Sequence, residues 1–123
     1  MADRTKGFEN LKVWQRAMEL VPLAYALAQI LPRSEQYVLS DQIRRAVISV
    51  PANIAEGQAR QHRKEFLQHL SIARGSLAEL QTLLWVAEGL QYLTREQTSK
   101  AHQAIVDVRM PLAGLVKRLQ ESP

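Results

Sequence analysis

Apolar residues recur along the chain at alternating steps of four and three positions, the spacing that forms an apolar stripe on an α-helix packed against neighbours. The pattern occurs in four separate segments. Their apolar positions are Leu11, Trp14, Met18, Val21, Tyr25 and Ala28; Leu39, Ile43, Ala46, Val47, Val50 and Ile54; Phe66, Leu70, Ala73, Leu77, Leu80, Leu84 and Ala87; and Ala101, Ile105, Val108, Leu112, Leu115 and Leu119. We therefore predict four amphipathic helices.

The first segment is apolar over a wide arc, since a second stripe of the same spacing runs parallel to the first. Its members are Val13, Ala17, Leu20, Ala24, Leu27 and Leu31. Pro22 lies inside this segment and Pro51 lies inside the second one. Because proline removes a backbone hydrogen bond and clashes with an earlier carbonyl, we predict a bend in both helices.

Several residues mark where the helices start and stop. Pro32 disfavours helix in the residue before it and should end the first helix. Ser40 or Asp41 can cap the start of the second helix, and Gly57 is suited to end that helix in a left-handed conformation. Residues 58–63 then form the connection to the third helix. The last helix should open with a capping box, in which Thr94 and Gln97 satisfy each other's backbone amides.

Four amphipathic helices with short connections can bury their stripes together only by folding back and forth. We predict an all-α, antiparallel up-down-up-down four-helix bundle. It should form one domain over residues 1–123, with residues 1–8 flexible. The chain has further apolar residues outside the main stripes, more than the core of one thin bundle would bury. We therefore predict that they mediate self-association. These residues are Val13, Leu20, Ile72, Leu83, Val86 and Val116.

Composition narrows the range of possible chemistry. Hydrophobic residues make up 46% of the chain and aromatic residues only 6%, a balance typical of helical globular proteins. Cysteine is absent, which excludes disulfides, cysteine nucleophiles and thiolate metal sites. No segment approaches the roughly 20 consecutive apolar residues of a membrane span. We expect a soluble, cytoplasmic protein.

Positive charge is concentrated in the middle of the chain. Between positions 44 and 74 six basic residues face two acidic ones, and this local excess equals the net charge of +4 of the whole chain. The six are Arg44, Arg45, Arg60, Arg63, Lys64 and Arg74. A clustered cationic patch attracts phosphate, so we predict that these residues bind nucleic acid. The alternative is that Arg60, Arg63 and Lys64 form an ordinary solvated turn.

Aromatic residues give base stacking little support, because only Tyr37 and Phe66 lie near the cationic stretch in sequence. Any binding should therefore depend on the phosphate backbone and on shape.

A polar stripe at helical spacing follows the second helix. It consists of Gln42, Arg45, Ser49, Asn53, Glu56 and Arg60. One interpretation is a face turned to solvent. The other is that Ser49, Asn53 and Glu56 tie this proline-containing helix to its neighbour. In the third helix, the pair Gly75-Ser76 predicts close approach of another helix, within the subunit or across an interface.

Residues suited to catalysis or metal binding are present but do not form known motifs. His62, His69 and Glu65 lack the spacing of a metal site, and we expect neither a metal nor a cofactor. The serines and histidines include no nucleophile elbow, and there is no phosphate-binding glycine loop. We expect a protein without enzymatic activity.

A series of short motifs resembles the proteins encoded by intervening sequences within bacterial large-subunit ribosomal RNA genes, a family that includes the accessory variability determinants of diversity-generating retroelements. The motifs are Phe8-x-x-Leu11-x-Val13-Trp14, Gln42-Ile43-Arg44-Arg45-Ala46, Ser49-Val50-Pro51-x-Asn53-Ile54-Ala55-Glu56-Gly57 and Ile72-Ala73-x-Gly75-Ser76-x-x-Glu79-Leu80. The resemblance implies a four-helix protomer that assembles into a ring-shaped homopentamer with a positively charged surface. In the retroelement branch it implies a ring that binds a reverse transcriptase and nucleic acid.

The residues and the resemblance together lead to one leading hypothesis. The protein should be a cytoplasmic, non-enzymatic homo-oligomer, with five copies favoured, that binds structured RNA or DNA non-specifically through the six basic residues. It would act as an accessory to a nucleic-acid enzyme. The alternative is a protein–protein scaffold with no role in nucleic-acid binding.

Overall fold

A computed structural model describes residues 7–121, which form four α-helices and no β-strand. The helices are α1 (Lys12–Ile30), α2 (Leu39–Ala59), α3 (Arg63–Gly89) and α4 (Arg95–Glu121), with short 3₁₀ helices at Phe8–Asn10 and Arg33–Glu35. The predicted all-α class with four helices is confirmed. Of the expected flexible segment 1–8, all but the last two residues lie outside the described part.

The helices pack in a cyclic order. Helix α1 contacts α2 and α4, and α3 contacts the same two helices. All four contribute to a single apolar core. The largest fully buried side chains are Leu20, Ile43, Ile54, Leu70, Leu77, Leu80, Leu84, Ile105 and Leu112, with Val47, Val50 and Val108. No helix within residues 7–121 is both long and apolar enough to cross a membrane.

The core uses the second of the two stripes predicted on the first helix. Val13 and Leu20 are 2% and 0% exposed, whereas Met18 and Tyr25 of the first stripe are 44% and 38% exposed. The prediction that Val13, Leu20 and Leu83 are spare apolar residues for self-association is therefore wrong, because all three are buried in the core of their own protomer.

Three other residues of that predicted set lie outside the core. Ile72 and Val86 are exposed on α3, and Val116 on α4 is half-buried. These residues remain available for contact with another molecule.

The connection between α1 and α2 differs from the prediction. Helix α2 starts without a side-chain cap, so neither Ser40 nor Asp41 has the predicted capping role. The Ser40 hydroxyl is buried and donates to the carbonyl oxygen of Ala28 over 2.8 Å. The Gln36 amide donates to the same oxygen and to that of Leu31. Carbonyls at the end of α1, which lack partners within the helix, are satisfied in this way.

Of two further predictions about helix ends, the one for the start of α4 is confirmed and the one for the end of α2 is wrong. Thr94 and Gln97 form the expected capping box, with reciprocal bonds of 2.9 and 3.1 Å. Gly57 does not end α2 in a left-handed conformation, because the helix continues to Ala59 and Gln61 is the residue with a positive φ, of 64°. Helices α1 and α2 run through Pro22 and Pro51 without interruption.

Candidate nucleic-acid interface

A chain of polar side chains joins α2 to α3. The hydroxyl oxygens of Ser49 and Ser76 are 2.8 Å apart. The Asn53 amide nitrogen donates to the carbonyl and hydroxyl oxygens of Ser49, and the Asn53 amide oxygen lies 3.1 Å from Nδ1 of His69. Because an amide oxygen only accepts, Nδ1 of His69 is the donor in this pair. The interpretation that Ser49 and Asn53 tie α2 to its neighbour is confirmed.

The other residues singled out on α2 have different roles. Glu56 forms an ion pair with Arg60, which directly follows α2, so the prediction that Glu56 reaches a neighbouring helix is wrong. Pro51 is buried in the core. Gly57 lies against α3, where an added Cβ would stand 2.6 Å from the Cβ of His69 and 3.1 Å from the Phe66 ring. The missing side chain lets the two backbones approach, and this explains glycine at position 57.

Gly75 and Glu79 lie on the outer face of α3 and are exposed. An added Cβ at Gly75 would meet no atom within 4 Å. The prediction of close helix approach at Gly75 is therefore wrong within the subunit. Its neighbour Ser76 does face another helix, through its bond to Ser49.

Among the six predicted phosphate-binding residues, Arg44, Arg45 and Arg60 each contact a nearby group. Arg45 pairs with Asp41 at 3.2 Å on α2, and Arg60 pairs with Glu56 at 3.0 Å at the end of that helix. Arg44 is half-buried and donates to the carbonyl oxygen of Gln36 over 2.8 Å. Such pairs at exposed sites are weak, so Arg45 and Arg60 keep their charge available to a ligand.

Arg63 and Lys64 are exposed in the first turn of α3, directly after the connection. Arg63 also lines a cleft that includes Phe8 and Leu119, which places the end of α4 beside this connection. His69 is engaged with Asn53, and no cluster of three metal-binding side chains occurs within residues 7–121. We call Arg60, Arg63 and Lys64 the basic turn.

Arg74 is separate from the basic turn. It lies about 16 Å along α3 from Arg63 and lines a groove of about 540 Å³ between α3 and α4. Arg109 and Lys117 line the same groove, whose floor includes Leu112 and Val116. No acidic residue lines it. The structure thus separates the six basic residues. Arg60, Arg63 and Lys64 form the basic turn, Arg74 lies in a groove with two cations from α4, and Arg44 and Arg45 lie near the start of α2, on neither surface.

The sequence did not point to Arg109 and Lys117, because counting charges over one stretch of sequence detects only residues that are neighbours along the chain. A usable signal was present, since residues 109, 113, 116, 117 and 120 recur at the steps that place them on one side of a helix. Nothing in the sequence, however, said that this side of α4 meets the side of α3 that carries Arg74.

Residues 9–114 match the family model of the 23S rRNA-intervening sequence protein. This range covers most of the chain and contains all four helices except the last two turns of α4. The chain belongs to the 23S rRNA-intervening sequence protein family. The resemblance to intervening-sequence proteins is confirmed, whereas the link to diversity-generating retroelements stays a prediction.

A crystal structure with the same fold comes from Bacteroides thetaiotaomicron and is described as a protein of unknown function from the S23 ribosomal protein family. It is 27% identical to this chain, with a TM-score of 0.78, and the match covers 85% of this chain and 98% of the other. No curated protein matches the chain.

This intervening-sequence family member has a second polar cluster where α3 ends and α4 begins. Both the Thr98 hydroxyl and Nε2 of His102 lie 2.8 Å from Oε2 of Glu88. The Arg95 guanidinium is 3.8 Å from the other carboxylate oxygen. Burial of Glu88 tends to raise its pKa, but the hydrogen bonds from His102 and Thr98 and the charges of His102 and Arg95 outweigh it and lower the pKa.

The exposed Trp85 lies against this cluster. Its ring stacks on that of His102, with centroids 5.6 Å apart and an angle of 27° between the planes. Trp85, His102 and Arg95 line a second groove between α3 and α4, of about 510 Å³. Sequence reasoning assigned no role to Trp85, Glu88 or His102.

Proposed function

We propose that this family member is a non-enzymatic protein that binds the phosphate backbone of structured RNA or DNA. The basic turn is the observation that carries the proposal. Arg60, Arg63 and Lys64 are exposed at the facing ends of two helices, and Arg60 forms an exposed ion pair with Glu56. Arg45 and Arg74 carry further positive charge on α2 and α3, about 22 Å and 16 Å along these helices from the basic turn. A surface of this kind binds phosphates with little dependence on sequence.

Self-association is part of the proposal. Ile72 and Val86 are exposed on α3 and lie about four helical turns apart, so they share one side of the helix. Leu90 extends this apolar side and is 53% exposed. A second copy of the chain covering these residues would remove apolar surface from water. Five copies in a ring is the number that the family resemblance implies.

An oligomer would repeat the basic turn once per subunit. Because affinity for a polyanion increases with the number of phosphates that are neutralised, several weak sites acting together give useful affinity.

The order of contacts between α3 and α4 supports the antiparallel arrangement of the protomer, since Glu88 contacts His102 and the earlier Gln81 contacts the later Arg109. We further propose a cytoplasmic accessory role beside a nucleic-acid enzyme, for which the resemblance implies a reverse transcriptase.

The test is binding of an RNA hairpin and a DNA duplex over a salt series. The variant Arg60→Gln, Arg63→Gln, Lys64→Gln removes the basic turn. Its matched control is Lys12→Gln, Arg33→Gln, Lys100→Gln, which removes the same charge from exposed sites elsewhere. If the basic turn engages three phosphates, the slope of log affinity against log salt becomes shallower by about 2.7 in the first variant.

Equal losses in the two variants would contradict a specific role of the basic turn and would indicate general attraction by net charge. Absence of binding at low salt by the wild-type oligomer would overturn the proposal. It would favour the protein–protein scaffold, in which the apolar side of α3 and the basic turn contact an acidic protein. Light scattering on the same samples tests self-association, and a monomer would contradict it.

A further inference from the structure

The two grooves between α3 and α4 join into one surface. Arg109, which lines the first groove, donates to the Gln81 side chain of the second over 2.7 Å. From Arg74 to Trp85 this surface extends about 16 Å along α3. We call it the α3–α4 strip. Its principal residues are Arg74, Lys117, Arg109, Gln81, Trp85 and Arg95.

The strip contains four cationic side chains, and acidic groups neutralise little of their charge. Arg109 has a neutral partner in Gln81. Arg74 and Lys117 have no acidic partner within residues 7–121. Arg95 is 89% exposed, and its contact with Glu88 is long, at 3.8 Å. The lining of both grooves lacks acidic residues, so the strip is complementary to a polyanion.

Trp85 adds an aromatic surface beside these cations. It is 53% exposed, whereas Trp14 is half-buried and packs edge-on against Phe8. His102 supports the Trp85 ring on one side and is itself held by Glu88. The indole is therefore supported in one orientation while much of its surface faces solvent. An aromatic ring fixed in a cationic groove is the combination that binds unpaired nucleotides.

We propose that the α3–α4 strip binds single-stranded nucleic acid, with an unpaired base stacked on Trp85 and the adjacent phosphates on Arg109 and Arg95. The proposal rests on nucleic acid being the ligand, as proposed above, and it adds a preference for unpaired strands. Bases inside a duplex are stacked on each other and leave no face for Trp85. The basic turn would bind paired and unpaired strands alike, whereas the strip distinguishes them.

The test compares binding of a 12-nucleotide oligothymidine with a 12-base-pair duplex at low salt. Trp85→Ala should weaken single-strand binding by about 5- to 150-fold, the range for one stacked base, and leave duplex binding unchanged. Trp85→Phe keeps an aromatic face and should retain most of the affinity. In a Trp14→Phe background Trp85 is the remaining tryptophan, and its fluorescence should be quenched by the single strand and not by the duplex.

The outcomes separate this inference from the proposed function. If the wild type binds both nucleic acids and Trp85→Ala weakens neither, the inference is wrong and the proposed function stands. If the wild type binds neither, both fail. A changed oligomer mass for Trp85→Ala would make Trp85 a contact between copies and overturn the inference. Quenching by polyglutamate as strong as that by the oligonucleotide would also overturn it, since the strip would then bind acidic protein.

Discussion

The hydroxyl oxygens of Ser49 and Ser76 lie 2.8 Å apart at the contact between α2 and α3, although the residues are 27 positions apart in sequence. Ser76 is 9% exposed, so water does not readily replace Ser49 as its partner. The Ser49 hydroxyl accepts from Asn53, which leaves its hydrogen free to point at Ser76. The polar motif of α2 thus acts as a structural connection between α2 and α3.

Ser76→Ala should lower the free energy of unfolding by about 1 to 2 kcal/mol, because the partly buried hydroxyl of Ser49 loses its bond to Ser76 and keeps only the one from Asn53 among those described. Urea unfolding followed by circular dichroism measures the change, at one protein concentration so that any self-association is constant. Ser71→Ala is the control, since Ser71 is exposed on the same helix. Equal stability of the two variants would show that the bond between the hydroxyls contributes nothing.

Two glycines in helices should respond to the same substitution in opposite directions. Gly57→Ala places a Cβ 2.6 Å from that of His69 and should destabilise the protein by about 1 to 3 kcal/mol through overpacking. Gly75→Ala meets open space and should stabilise α3 by up to about 1 kcal/mol, the difference in helix propensity. Thermal and urea unfolding test both. Destabilisation by Gly75→Ala with loss of oligomer mass would instead place Gly75 at an interface between copies.

Glu88 should make stability dependent on pH. Its pKa in the folded protein is below the ordinary value of 4.5, so the ionised form is favoured by folding. This contribution is fully present above pH 4.5 and is lost as the pH falls through the lower folded pKa. Glu88→Gln should therefore be less stable than the wild type near neutral pH, by about 1 to 3 kcal/mol, and the difference should shrink in acid.

Unfolding in urea between pH 3 and pH 7 measures this effect. Glu79→Gln removes an exposed carboxylate from the same helix and should show no comparable dependence on pH. A stability difference for Glu88→Gln that stays constant over the whole range would contradict the role of the ionised carboxylate. His102 and Arg95, which contact the Glu88 carboxylate, are unchanged in both variants.

The capping box at the start of α4 should contribute measurably to stability. Thr94→Ala removes the oxygen that accepts from the backbone amide of Gln97 and should cost about 1 kcal/mol. Thr82→Ala is a matched control, because Thr82 is exposed in the middle of α3 and its hydroxyl donates to the carbonyl of Ala78 one turn earlier. We expect Thr82→Ala to be neutral or slightly stabilising, as back-bonding of this kind does not favour a helix.

Some features of the candidate binding surface could be predicted from the sequence and others could not. Arg60, Arg63 and Lys64 are neighbours along the chain, so the local excess of positive charge in the sequence identified them. The α3–α4 strip combines residues from two helices, and its cations on α4 lie far from Arg74 in sequence. The exposure of Trp85 could not be predicted either, because the position of a tryptophan in a helical sequence does not show whether its ring lies in the core or in solvent.

The sequence by itself determined the number of helices and the capped start of α4, because apolar spacing and the capping box of Thr94 and Gln97 depend on residues within a few turns of each other. Only the tertiary structure decided which apolar stripe of α1 is buried, why position 57 is glycine, and which cations share a surface. Each of these depends on which side of one helix packs against another, and that is settled by contacts between residues distant in the chain.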